Sequence, residues 1–235
     1  MNNNTVYEWL LQSTFTVSAR SAILQRIEPY LASLVRSGNQ ILDLCCGSGF
    51  GSFWFDAQGA QVTAIDFAPY MIALAKQEAE QRHSTVKFVE ADIFTHDFGQ
   101  RCFDLISCFG NSISDFPLLD FAKLTPKIAA ALKPGGRFVL DYHDGIYTAM
   151  QRLVSLEGVY QETPERITFR YKEYQPAIGA NVSIMRNETR GEEYARKSYI
   201  YTVSTVRLAM SSALDLEQHV AVDENHFLDV FVKQK

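Results

Sequence analysis

The feature that most constrains the fold of this chain is a regular alternation of strand-like and helical segments between residues 17 and 145. Apolar residues at helical spacing in residues 17–37, which end before Gly38, predict a first helix. The segments that follow are strand QILDLC, a glycine-rich turn, a helix from about Ser52, strand AQVTAID, helix APYMIALAKQEAEQ, strands TVKFVEA and CFDLISCF, a helix near 117–132, and strand RFVLDY. This alternation predicts βαβ units, with helices on both faces of a parallel sheet.

The pattern changes after about residue 145. RITFRYKEY, ANVSIMRNET and EYARKSYIYT alternate with period 2 and predict an antiparallel sheet. STVRLAMSSALDL predicts one more helix, and EQHVAV and HFLDVFVKQ predict a final hairpin. We therefore predict an α/β core over residues 1–145, a small antiparallel β insert over 146–203, and the last helix and hairpin of the core over 204–235.

Composition narrows the class of partner. Hydrophobic residues make up 47% of the chain and charged residues 21%, which is typical of a folded globular protein. The net charge of −5 argues against a broad phosphate-binding surface, so we expect a small-molecule ligand and no nucleic acid. The four cysteines include no CxxC pair, which favours reduced thiols. The sequence lacks a secretory signal pattern and an apolar run of roughly 20 residues, so we expect a cytoplasmic protein without a membrane partner.

The stretch ILDLCCGSGFGS, residues 41–52, is the most informative motif. Glycines at 47, 49 and 51 allow a tight turn and a close approach of the backbone to a ligand. The loop opens a helix, whose unpaired N–H groups favour anionic or strongly accepting ligand atoms. A dinucleotide fingerprint, G-x-G-x-x-G, fits poorly because Ser52 stands at its last position. A tight turn without any ligand remains an alternative for this loop taken alone.

Acidic residues recur at the ends of successive predicted strands. Asp43 lies inside the loop motif, Asp66 ends the second strand, and Asp92 follows the third. A carboxylate at the position of Asp66 can accept hydrogen bonds from both hydroxyls of a ribose. Asp92, with Ile93 beside it, is placed to accept a hydrogen bond from an exocyclic amine. Each acid alone is typical of a solvated strand end, but three in this register favour a nucleoside ligand.

These motifs resemble those of the class I S-adenosylmethionine-dependent methyltransferases. LDLCCGSGFGS resembles the first motif of that family, IDFAPYMIALAK the second, VEADIF the third, FDLISCFGNSISDF the fourth, and LKPGGRFVLDY the motif that leads into the fifth strand. The resemblance covers residues 17–142 and resumes in the last helix and hairpin. It implies a Rossmann-like, doubly wound sheet of seven strands, the last one antiparallel, with the β insert as a substrate cap. Cys45 stands where the family often has its first glycine.

The resemblance also implies S-adenosyl-L-methionine as the cofactor, S-adenosyl-L-homocysteine as the product, and a set of cofactor-binding residues. Gly47 and Gly49 would pass beneath the methionyl part, and Asp43 would act by positioning the backbone of their loop. Arg20 resembles an arginine that pairs with the cofactor carboxylate, although a solvated helix residue is an equal alternative. The remaining predicted cofactor contacts are Asp66 at the ribose, Phe67 and Met71 flanking the adenine, Asp92 at its amino group, Ile93 and Phe109.

The segment after the fourth strand, FGNSISDF, bears on the methyl acceptor. It lacks the paired prolines of enzymes that methylate exocyclic amines of DNA bases, and neither Cys102 nor Cys108 follows a proline as in a cytosine-C5 enzyme. It is similar to the corresponding segment of glycine N-methyltransferases and amino-sugar N,N-dimethyltransferases, which also carry an antiparallel cap. The resemblance therefore implies in-line methyl transfer to an amine nitrogen of a small molecule.

Three residues are candidates for catalysis. Tyr142 and His143 end the fifth strand, and Asn111 lies in the segment after the fourth. His143 could accept a proton near neutral pH, although a local hydrogen bond in its turn is an alternative. No His, Cys and carboxylate triplet stands at metal-ligand spacing in the sequence, so we expect no metal. O-methylation, non-catalytic cofactor binding and a nicotinamide-dependent oxidoreductase are the competing functions, and we expect a monomer or a homodimer.

Overall fold

The computed structural model describes residues 17–153, 156–161 and 165–233, and within them it has two β-sheets. The helices are α1 (Val17–Leu31), α2 (Phe50–Ala57), α3 (Pro69–Arg82), α4 (Leu118–Ala131), α5 (Gly145–Leu153), α6 (Val203–Met210) and a 3-10 helix (Ser112–Asp115). The strands are β1 (Gln40–Leu44), β2 (Gln61–Asp66), β3 (Lys87–Glu90), β4 (Phe103–Cys108), β5 (Leu132–His143), β6 (Glu157–Gln161), β7 (Ile167–Gln175), β8 (Ala180–Asn187), β9 (Glu192–Tyr199), β10 (Leu214–Ala221) and β11 (His226–Lys233).

The larger sheet has seven strands in the order β10-β11-β5-β4-β1-β2-β3. Strands β1 to β5 run parallel, and β11 pairs antiparallel with both β5 and β10. This confirms the predicted α/β, Rossmann-like sheet of seven strands with an antiparallel last strand. The strand order reverses between β1 and β4, which is where such sheets form a crevice for ligands.

Helices cover both faces of this sheet. On one face, Phe121 of α4 and Val206 of α6 belong to the same buried cluster as Phe138 of β5. On the other face, Ile27 of α1 and Phe55 of α2 belong to a second buried cluster, which also includes residues of α3. Burial of both faces explains why the strands read as continuous apolar runs in the sequence.

The smaller sheet is the cap, formed by β6-β7-β8-β9 with antiparallel pairing throughout. It spans residues 157–199 and therefore falls within the predicted insert of 146–203. Its three longest strands match the three predicted period-2 segments, whereas α5 and β6 were not predicted. Among the described residues, no helix is long and apolar enough to cross a bilayer.

The C-terminal helix is shorter than its sequence pattern predicts. The pattern STVRLAMSSALDL predicts a helix that continues beyond residue 211, but α6 ends at Met210. Leu214 starts β10 instead, where it pairs with Lys233 of β11. Pairing with a neighbouring strand outweighs the local helical preference of this short segment.

Candidate active site

A cavity of about 720 Å³ opens at the carboxyl ends of the parallel strands and extends to the cap. Nine of the predicted site residues line it: Gly47, Asp66, Phe67, Met71, Asp92, Ile93, Phe109, Asn111 and His143. Asp43, Gly49 and Tyr142 are not among the lining residues. Arg20 belongs to α1, but its side chain lies outside the described part of the structure.

Asp66 fixes the start of the glycine-rich loop from the end of β2. One carboxylate oxygen accepts a hydrogen bond from the Gly47 N–H at 2.8 Å, and the other accepts from the Ala68 N–H at 2.9 Å. Burial raises the pKa of this carboxyl, and the backbone donors oppose that rise. The Phe67 N–H is a third backbone donor to this carboxylate, which has about four acceptor sites in all, so it keeps the capacity to accept from a ligand hydroxyl.

The glycine-rich loop itself is tightly packed from behind. Gly49 has φ 89° and precedes α2, and a Cβ at this position would lie 2.8 Å from Cζ of Phe88. Gly47 has φ 55°, but it has open space where its Cβ would be. Of these two positions, Gly49 is therefore the one at which both the backbone conformation and the neighbouring side chain require glycine.

Asp43 acts behind the loop rather than in the cavity wall. Its carboxylate accepts hydrogen bonds from the hydroxyls of Ser52 at 2.6 Å and Ser107 at 2.8 Å. The side chain is buried, and burial raises its pKa to about 6. The carboxylate thus ties the first turn of α2 to β4.

Asp92 and its neighbours form the part of the wall that follows β3. Its carboxylate accepts from the Phe94 N–H at 2.8 Å. Ile93 and Met71 are buried, whereas Phe67 is 48% exposed. The exposed Phe67 ring and the Asp92 carboxylate line the same cavity, which suits a planar base that carries an amino group.

The loop after β4 is attached to the end of β5 at two points. The Gly110 N–H donates to the Asp141 carboxylate at 2.5 Å, and the His143 N–H donates to the Asn111 side-chain oxygen at 3.0 Å. Gly110 and Asn111 both have left-handed backbone conformations, with φ of 79° and 57°. Sequence reasoning identified Asn111 and His143 but missed Asp141, because a strand residue among apolar neighbours gives no local signal of a site.

Tyr142 faces away from the cavity. Its side chain is fully buried, and its hydroxyl donates to Asp229 at 2.9 Å. Residues alternate between the two faces of a strand, so Tyr142 lies on the face opposite that of Asp141 and His143. The expectation that Tyr142 faces the crevice therefore differs from its observed position.

His143 lines the cavity and is solvent-accessible. Desolvation by the surrounding protein, followed by the nearby His226, lowers the pKa of His143 below its usual value. The two imidazole rings are nearly perpendicular, with centroids 5.0 Å apart. A lowered pKa keeps the His143 imidazole neutral, and so able to accept a proton, at neutral pH.

One face of the cap contributes a group of polar side chains to the cavity, beside apolar ones such as Phe169 and Met185. Asn181 pairs with Ser198 and Ser183 pairs with Arg196 across β8 and β9, and all four residues line the cavity. The Arg196 guanidinium also lies 3.5 Å from the carboxylate of Asp115 in the 3-10 helix. The alternation in ANVSI, which predicted the strand, also places Asn181 and Ser183 on one face of it.

Comparisons with known proteins match about half of the chain to methyltransferases. Residues 41–136 match a family model described as a methyltransferase domain. A demethylmenaquinone methyltransferase from Thermus thermophilus is 36% identical over 111 residues, 46% of this chain and 49% of the relative. A ubiquinone biosynthesis O-methyltransferase from Coxiella burnetii is 30% identical over 131 residues, 54% of each chain. The chain thus spans about half the length of these curated relatives.

A solved structure resembles the chain over nearly its whole length. It is an S-adenosylmethionine-dependent methyltransferase from Clostridium acetobutylicum, which covers 98% of this chain and 97% of its own with a TM-score of 0.74 and 15% identity. At this identity the likeness concerns the fold. The chain therefore has the class I S-adenosylmethionine-dependent methyltransferase fold, and its residues 41–136 match a methyltransferase-domain model.

Proposed function

We propose that the protein transfers a methyl group from S-adenosylmethionine to an amine nitrogen of a small polar molecule. The observation that carries the proposal is one continuous cavity with two chemically different walls. Asp66 and Asp92 line it at the strand ends, and Ser183 lines it from the cap. His143 lines the same cavity. A nucleoside site and a polar acceptor site that share one cavity favour group transfer between their ligands.

The first wall fits the cofactor. In this proposal Asp66 accepts from the ribose with its remaining acceptor capacity, and Asp92 accepts from the adenine amino group. The other proposed contacts are Phe67, Met71 and Ile93 at the base, Gly47 in the loop, Phe109 after β4, and Arg20 at the carboxylate. Gly49 and Asp43 are proposed to act by holding the shape of the loop. When bound, the cofactor supplies an electrophilic methyl group on a sulfonium.

The charge of the wall supports a cationic ligand. Asp66, Asp92 and Asp115 all line the cavity, and Arg196 contributes one positive charge against them. A cavity with excess negative charge attracts cations such as a sulfonium or a protonated amine. A phenol or a quinone carries no positive charge, so the negative charge of the cavity does not attract it.

The cap wall favours a polar acceptor. Asn181, Ser183 and Ser198 offer amide and hydroxyl groups, and Arg196 offers a guanidinium. These groups match hydroxyl or carboxylate substituents, which would replace the water that otherwise solvates them. The similarity to quinone methyltransferases favours an oxygen or carbon acceptor instead, so quinones belong in the test.

His143 is the proposed proton acceptor. An amine reacts as its neutral form, so a proton must leave the incoming ammonium or the methylated product. The lowered pKa of His143 keeps its imidazole neutral for this purpose. Asn111, whose side-chain oxygen is held by the His143 N–H, would fix the backbone beside it.

Asp66→Asn tests the cofactor site. The change keeps the size of the side chain but removes the charged acceptor, so we expect the Kd for S-adenosylmethionine to rise about 10-fold to 100-fold. Isothermal titration calorimetry measures it. Asp97→Asn is the matched control, because Asp97 accepts from the Gly99 N–H in an exposed turn away from the cavity. Equal affinity in the wild type and Asp66→Asn would remove the ribose role.

Transfer of a labelled methyl group tests the acceptor. The panel contains amines with hydroxyl or carboxylate groups, simple alkyl amines, phenols and reduced quinones. We expect transfer to the polar amines, and a rise of about 10-fold in acceptor KM for Arg196→Gln. Arg186→Gln is the control, since Arg186 is an exposed cap residue paired with Glu193. Transfer confined to phenols or quinones would refute the amine assignment, and binding without transfer would indicate a non-catalytic cofactor binder.

A further inference from the structure

A buried histidine–aspartate pair lies directly behind the acceptor end of the cavity. His226 of β11 and Asp141 of β5 are 3% and 1% exposed, and the His226 Nε2 lies 2.7 Å from one oxygen of the Asp141 carboxylate. The other oxygen of Asp141 accepts from the Gly110 N–H at 2.5 Å. A continuous chain of hydrogen bonds therefore runs from β11 through β5 to the loop after β4.

The loop at the end of this chain needs to be held. Gly110 and Asn111 are consecutive residues in the left-handed region, and such a conformation is unfavourable for a side-chain-bearing residue. Asp141 holds the first residue through its side chain, and the His143 N–H holds the second. Both anchors come from the last three residues of β5, so their orientation sets the shape of the cavity wall.

We propose that His226 is a positioning residue that orients the Asp141 carboxylate and thereby fixes the Gly110–Asn111 backbone against the methyl acceptor. The inference rests on the proposed methyl transfer. His226 does not itself line the cavity. Its effect reaches the reacting groups through Asp141, and a misplacement of about 1 Å in such a wall costs about 100-fold in rate.

The same pair also acts on His143. The charged groups that face His143 are His226 of β11, Asp141 of its own strand, Asp223 of the turn before β11, and Arg26 of α1. His226 and Arg26 disfavour protonation of His143, and the two aspartates favour it. Replacing His226 by a residue that cannot ionise therefore raises the pKa of His143.

Two variants separate a positioning role from simple packing. His226→Gln retains an N–H donor near the position of Nε2, whereas His226→Leu removes it. We expect His226→Leu to lower kcat about 10-fold to 100-fold with the KM for S-adenosylmethionine within about twofold, and His226→Gln to recover most of the loss. In both variants the His143 pKa, followed by NMR, rises above the wild-type value.

His219→Gln is the matched control. His219 also pairs with a buried aspartate, Asp229, but that pair bonds to Tyr142 and not to the acceptor loop. It should leave kcat and the His143 titration unchanged. The chemical shift of the Gly110 amide provides a readout without turnover, since it should move in His226→Leu and stay in His219→Gln.

The outcomes distinguish this inference from the proposed function. If the wild type transfers methyl groups and His226→Leu does so equally well with an unshifted Gly110 amide, the positioning role is wrong. If His226→Leu and His226→Gln lose activity equally together with cofactor binding, the role is structural and the inference is also overturned. If the wild type transfers nothing, the proposed function fails, and the Gly110 and His143 signals alone decide whether His226 orients Asp141.

Discussion

Asp43→Asn should stabilise the protein at neutral pH. Asp43 is 2% exposed, and burial raises its pKa from 3.8 to about 6, because desolvation outweighs the hydrogen bonds from Ser52 and Ser107. The folded state therefore holds the proton more tightly than the unfolded state does. Its contribution to stability is fully present below pH 3.8 and is lost as the pH rises through about 6.

The magnitude follows from the two pKa values. The difference between about 6 and 3.8, at 1.36 kcal/mol for each pKa unit, corresponds to about 3 kcal/mol lost by pH 7.5. Asparagine does not ionise, so it avoids this loss, but its amide group replaces one acceptor oxygen and costs about 1 kcal/mol in hydrogen bonding. We therefore expect Asp43→Asn to raise the free energy of unfolding by about 2 kcal/mol at pH 7.5.

Urea unfolding of both proteins at pH 7.5 and at pH 4 measures the effect. At pH 4 the wild-type carboxyl is mostly protonated, so the advantage of the variant should vanish or reverse. Ser107→Ala is the companion variant, because it removes one donor to the carboxylate and should destabilise the protein most above pH 6. A variant less stable than the wild type at pH 7.5, or a gain of equal size at both pH values, would refute the reasoning.

Three further substitutions test packing, two in the glycine-rich loop and one between α4 and α6. Gly49→Ala should lower the free energy of unfolding by about 3 kcal/mol, because the new Cβ would lie 2.8 Å from Phe88 in a left-handed backbone conformation that is strained for alanine. Gly47→Ala should lower it by only about 1 kcal/mol, because nothing lies within 4 Å of the position of its Cβ. Equal losses for the two variants would contradict this. Thr125→Val should cost about 1–2 kcal/mol, because the Thr125 hydroxyl donates to the buried Ala209 carbonyl at 3.0 Å and ties α4 to α6. Chemical denaturation measures all three, and a neutral Thr125→Val would mean that water satisfies that carbonyl.

The sheet and its ligand edge could be predicted from the sequence because local signals and tertiary pairing agree there. Strands buried on both faces appear as apolar runs, and their carboxyl ends meet at one edge of the sheet. Asp66 and Asp92 stand at those ends, and both line the observed cavity. The positions of these acids at the ends of their strands were therefore enough to predict that residues distant in sequence lie at one site.

The rest of the site depends on contacts that sequence spacing does not encode. Asp141 and His226 are 85 residues apart and meet only because β11 inserts antiparallel beside β5. The expectation that Tyr142 faces the crevice differs from the structure for a local reason. Neighbouring residues of β5 point to opposite faces of the sheet, so Tyr142 points away from the face of Asp141 and His143. The end of α6 was missed because Leu214 gains a strand partner that its own segment does not reveal.

The choice of acceptor has to be argued from the cap. The family match ends at residue 136, before the cap begins at residue 157, so it describes the half of the cavity that would hold the cofactor. Ser183 and Arg196 come later in the chain, and their side chains decide which groups the acceptor can present. The Arg196 guanidinium has the Asp115 carboxylate as a partner, and an acceptor with hydroxyl or carboxylate groups would add hydrogen bonds to Ser183 and Arg196 that an apolar acceptor cannot form. A polar amine can form hydrogen bonds with the polar groups of the cap, and in its protonated form it is attracted by the negative charge of the cavity. For these two reasons we favour a polar amine over a quinone as the acceptor.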